Sequence, residues 1–117
     1  MAYTSRIAWE TLRSIDAASI ADAALYYPIG TALQNPSYIC KMVNNSSVLV
    51  TVSIDGENDI DVLPANSFWL YDEAKYGTPA IQFLPAGTQF FVKGATGGTG
   101  LIYLVTQYIV AQNTAYP

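Results

Sequence analysis

From about residue 37 the chain consists of short runs of alternating apolar and polar residues, each closed by a cluster of turn formers. A period of two is the signature of half-buried β-strands and leaves little room for helix. Val48, Val50, Val52 and Ile54 share one face of such a run, with Thr51 and Ser53 on the other. The tetrapeptide Asn44-Asn45-Ser46-Ser47 separates this run from Tyr38–Val43 and reads as a hairpin. Asp55-Gly56-Glu57-Asn58-Asp59 is a second turn, leading to a short strand, Ile60–Leu63, stopped by Pro64. Ser67–Tyr71 follows as the next strand. Ala80–Leu84 and Thr88–Lys93 read as antiparallel neighbours across the tight turn Pro85-Ala86-Gly87. The glycine-rich run Gly94–Gly100 reads as a flexible hairpin loop into Leu101–Val110, a ten-residue strand apolar on both faces. Such a strand needs cover on both sides, either from a second sheet or from a neighbouring subunit.

The first 36 residues are less regular. Ala17, Ile20, Ala21, Ala24 and Leu25 fit a helical spacing, whereas Ile7–Leu12 reads as extended and Tyr26–Thr31 as strand or loop. The expectation is two strands joined by an irregular or briefly helical segment over 16–24, preceded by an extended arm at 1–10 that carries Trp9. Seven to nine strands at this spacing predict an all-β chain: an antiparallel β-sandwich, jelly-roll-like, occupying 1–117 as one domain, with 111–117 as a C-terminal tail.

Composition then narrows function. Hydrophobic residues make up 51% of the chain and charged residues 12%, about half the usual charged share of roughly 25%. So little ionic surface on a short apolar chain points to further burial between subunits. The absence of histidine excludes His-dependent triads, His-ligated zinc and imidazole acid–base pairs. Five scattered basic residues (Arg6, Arg13, Lys41, Lys75, Lys93) on a chain of net charge −4 argue against nucleic acid as a partner. A membrane span needs about 20 continuous apolar residues, and Leu101–Val110 is interrupted by Thr106 and Gln107. The sequence before Ile7 lacks the apolar core of a signal peptide, and Cys40 is the single cysteine, so a disulfide framework is excluded.

Four features invite a site. Asp55, Glu57, Asp59 and Asp61 form an oxygen-rich stretch that could hold calcium, but Gly56 is at the second position and no glutamate closes the loop, so a solvated turn is the preferred reading. Carboxylate pairs from this turn, or Asp72 with Glu73, show no spacing that separates an acid from a nucleophile, so no catalytic residue and no cofactor are expected. The glycine run lacks the Gly-Lys-Ser/Thr ending of a phosphate loop and precedes a strand. The nine tyrosines fit either a sugar-stacking face or interface packing, with packing favoured by the low charge. Trp9, Tyr26, Tyr27, Trp69, Tyr71, Tyr103 and Tyr108 are the expected interface residues. Cys40, flanked by Tyr38 and Met42, is expected to pack as a small buried hydrophobe.

The run from Asn44 to Gly56, continuing through Asp59–Phe68 and later Gly87–Gly94 and Gly100–Leu104, resembles small β-sandwich virion proteins of tailed bacteriophages. The likeness spans roughly 12–110 and concerns layout more than role. It implies a non-enzymatic structural subunit in many copies, a homo-oligomer at the head-to-tail connection or tail. Its partners would be other virion proteins (portal, tail or major capsid protein), with assembly in the host cytoplasm. A capsid decoration (cement) or head-fibre protein is the alternative within this class. A carbohydrate-binding module for host attachment is the alternative outside it.

Overall fold

The computed structural model describes residues 3–72 and 84–113. The described residues are all-β, in two antiparallel sheets. β1 (Tyr3–Trp9), β2 (Arg13–Asp16), β4 (Ile39–Ser46), β7 (Ser67–Asp72) and β9 (Gly100–Asn113) form the larger sheet, with β1 and β2 end to end along one edge of β9 and the order β9-β4-β7 beyond it. β3 (Tyr27–Pro28), β8 (Phe91–Gly94), β5 (Val50–Ser53) and β6 (Asp61–Leu63) form the smaller sheet in the order β3-β8-β5-β6. One turn of 3₁₀ helix at Ala17–Ser19, capped by the Asp16 carboxylate, is the helical segment among the described residues.

The pairing is nested. Counting β1 and β2 as one interrupted strand, the first pairs with the last (β9), β3 with β8, β4 with β7, and β5 with β6. Rolling that four-tier antiparallel ribbon onto itself places β4 beside β9 and β5 beside β8, closing the two sheets over one core.

Period-two patterning decides what fills that core. On β4, Cys40, Met42, Asn44 and Ser46 point inward and are buried, while Ile39, Lys41 and Val43 point outward. Ile102 and Leu104 of β9 meet Val50 and Val52 of β5 and Val92 of β8, with Ile29, Leu33, Leu63 and Phe90 closing the ends. Trp69 of β7 packs edge-to-face on Phe90, ring centroids 6.1 Å apart.

Several local expectations change. Asn44–Ser47 is not a hairpin: β4 runs through Ser46, and the chain there crosses from one sheet to the other. Asn44 is fully buried and stitches the corner, its Nδ2 donating to the carbonyls of Val48 (2.8 Å) and Leu63 (3.0 Å). Gly94–Gly100 likewise crosses between sheets, from β8 to β9, and is tied to the first corner by the Ser47 N–H donating to the Thr99 carbonyl at 2.9 Å. Gly100 has φ +96°, and a Cβ there would lie 2.5 Å from the Asn45 carbonyl oxygen, so glycine alone allows the two corners to touch. Most of Ala80–Leu84 lies outside the described residues, and Leu84 bridges to Ser37. Residues 3–9, anticipated as an arm, are an edge strand paired with β9 from Tyr3↔Asn113 to Trp9↔Gln107.

β9 outruns its other neighbour. β4 reaches only to the pair Ile39↔Gln107, so among the described residues the β1–β9 ribbon continues alone beyond Gln107. The principal dimensions are 56 × 26 × 22 Å.

Candidate interaction surface

The outward face of the larger sheet carries large apolar side chains in each of four successive rows. The ladders align Phe68, Val43, Tyr103 and Ser14 in one row, then Leu70, Lys41 and Val105, then Asp72, Ile39, Gln107 and Trp9, then Ile109 with Ile7. Phe68 is 65% exposed, Trp9 62%, Leu70 55%, Ile109 47% and Ile7 44%. Tyr103, Val105, Val43 and Ile39 fill the middle, half-buried. Lys41, between Leu70 and Val105, and Asp72, on the outer strand β7, are the charges in these rows, so the face carries little ionic surface, a trait of interface cores.

The expected interface residues divide. Trp9 and Tyr103 lie on this face. Trp69 and Tyr71 alternate with Phe68 and Leu70, so they point inward and pack against the core. Tyr108 is in the overhang on the core-side parity, opposite Ala8. Tyr26 and Tyr27 sit at the smaller sheet, where the Tyr26 hydroxyl donates to Asp59, Lys93 Nζ lies 3.2 Å from Asp59 and 4.8 Å over the Tyr26 ring, and the Tyr27 hydroxyl accepts from the Asp22 N–H. Sequence reasoning passed over Phe68, Leu70, Ile7 and Ile109. The signal was present in Ser67–Tyr71, which is apolar on both faces and so has one face left without cover by the core.

The acidic stretch does not converge on a cation. Asp55 Oδ1 accepts from the Ser53 hydroxyl and the N–H groups of Glu57 and Asn58, and Oδ2 from the Asn58 amide, so its carboxylate closes its own turn. Those bonds, the Asn58 N–H first, hold its carboxyl far below the usual range. Asp59 is engaged by Tyr26 and Lys93, and the Tyr26 hydroxyl, partly desolvated and bonded to Asp59, is pushed up to about 12. Among the described residues no three acidic or thiol groups are placed to share a metal.

A cavity of about 370 Å³ opens beside the β1–β2 corner, lined by residues that include Glu10, Arg13, Ser14 and Thr31. Its polar floor is already paired. Arg13 Nη2 donates to Glu10 Oε1 at 2.7 Å and to the Ala32 carbonyl, Nε donates to the Thr31 carbonyl, and Glu10 also accepts from the N–H groups of Gln34 and Asn35 and the Asn35 amide. The pair is a clamp that fixes the 31–35 segment to the corner, with both side chains nearly buried. Among the described residues no buried side-chain polar atom lacks a partner.

Neither a protein family nor a curated protein matches the chain in sequence.

Proposed function

We propose that this chain is a non-enzymatic structural subunit of a tailed-phage virion, a symmetric homo-oligomer of the head-to-tail connection or tail. The observation that carries the reading is the uncovered apolar face on the larger sheet, where Phe68, Leu70 and Trp9 are each more than half exposed. Neighbouring subunits cover that face and bury it, without chemistry. The nested pairing of strands supports the reading as well: eight strands, β1 and β2 counted as one, are shared between two four-stranded layers, a layout similar to that of jelly rolls, which capsid and lectin domains use. The engaged state of Asp55, Asp59, Glu10 and Arg13 supports a packing role over a catalytic one.

The test is localisation. Antibody raised against the chain is expected to label purified particles at the head-to-tail junction or along the tail. Label spread over the whole shell selects decoration instead, and particles free of label overturn the virion reading.

A further inference from the structure

Among the described residues the overhanging ribbon leaves one backbone edge of β9 without a neighbouring strand, and its polarity follows from the ladder on either side. Successive residues of a strand turn their N–H and C=O to alternate sides. The Thr106 carbonyl accepts from Glu10 N–H, on the β1 side, and the Gln107 carbonyl accepts from Tyr38 N–H, on the β4 side. Even-numbered residues of β9 therefore carry the ladder to β1, through Tyr108↔Ala8, Val110↔Arg6 and Gln112↔Thr4. Ile109, Ala111 and Asn113 aim their N–H and C=O groups to the side where β4 has ended, and among the described residues no strand lies there. The open edge runs over Tyr108–Asn113, about 20 Å at a strand's rise per residue.

Resting on the homo-oligomer reading above, we infer that this edge pairs with the same edge of a second copy, antiparallel, joining two subunits through a continuous β1-β9-β9-β1 ribbon. Three observations favour a second copy as the occupant. The segment Tyr-Ile-Val-Ala-Gln-Asn at 108–113 carries no charge, so two copies do not repel. It also lacks the Lys and Pro with which exposed edges are usually guarded against pairing. An antiparallel edge is self-complementary: a two-fold axis normal to the ribbon sets each outward N–H opposite a carbonyl of the other copy. That axis also keeps Ile7 and Ile109 of both copies on one side, so the apolar faces merge into a single larger surface.

The experiment is sedimentation velocity on wild type and Ala111→Pro across a concentration series. Proline at 111 removes an N–H that faces away from β1 and leaves the even-numbered ladder in place. One inter-subunit hydrogen bond is lost per copy and the approaching strand is obstructed, so pairing weakens by about tenfold or more while the circular dichroism stays that of a sandwich. An oligomer indifferent to Ala111→Pro overturns the edge pairing and leaves the apolar-face reading standing. A wild type that is monomeric throughout overturns that reading itself. Amide exchange on wild type decides the matter should the variant misfold: the Ile109 and Ala111 amides exchange more slowly in the oligomer than in the dilute monomer, and equal rates contradict the pairing.

Discussion

Phe68 lies directly opposite Val43 in the β4–β7 ladder, and the pair faces away from the core. Cross-strand pairs of an aromatic and a β-branched residue stabilise a sheet modestly, by about 0.2–1 kcal/mol. A pair left in water gains little from such bulk, and in the homo-oligomer proposed above it would be covered.

Phe68→Lys combined with Leu70→Glu is therefore expected to weaken self-association by at least roughly thirtyfold, equivalent to about 2 kcal/mol, as for central interface residues. The isolated subunit should lose no more than about 1 kcal/mol in urea unfolding, because both side chains are exposed. A variant that associates like wild type would place the interface elsewhere.

Arg13→Met tests the clamp beneath the β1–β2 corner. It strips Glu10 of its cationic partner and leaves the Thr31 and Ala32 carbonyls without their donor. Breaking a buried ion pair from one side costs about 3 kcal/mol or more, read as a drop in the urea midpoint. A shift below about 0.5 kcal/mol would show that the corner holds without it.

Stability should fall in acid. Burial alone would raise Glu10, but hydrogen bonds from Arg13, Asn35 and the Gln34 and Asn35 N–H groups outweigh it and hold the carboxyl below its ordinary range. Asp59, bonded first by Tyr26 and then by Lys93, is also lowered. Carboxyls depressed in the folded state take up protons later than in the unfolded chain, so their contribution is complete above about pH 5 and is lost as pH falls through the folded values. The urea midpoint should be level between about pH 7 and 5 and decline below about pH 4; a level profile down to pH 3 would contradict this.

Cys40 is fully buried on β4, and burial, outweighing the lowering effect of the Arg13 charge and helped by Glu10, pushes its thiol up to about 12. A thiol-specific reagent at pH 8 should react only as fast as the protein unfolds. Prompt stoichiometric reaction would show that the core opens locally at β4.

The strands were legible where one face alternates cleanly, as in Val50–Val52 and Ile102–Leu104, because burial there depends on side-chain parity alone. What parity does not encode is which sheet a strand joins. Asn44–Ser47 and Gly94–Gly100 have the composition of hairpins yet carry the chain between layers, a choice made by Asn44 bonding to Val48 and Leu63 and by the close approach of Gly100 to Asn45. The candidate surface was half legible for the same reason. Tyrosine and tryptophan draw attention by type, but Trp69 and Tyr71 point inward, and their neighbours Phe68 and Leu70 make the face. The Glu10–Arg13 clamp had no sequence signal beyond an i, i+3 charge pair, since its other partners come from 31–35.

The most direct test of the central claim is the mass of the wild-type protein in solution, by sedimentation equilibrium over a wide concentration range. An apolar face that subunits cover predicts a discrete multiple of 12.7 kDa, dissociating on dilution. A mass of 12.7 kDa at every concentration would contradict it.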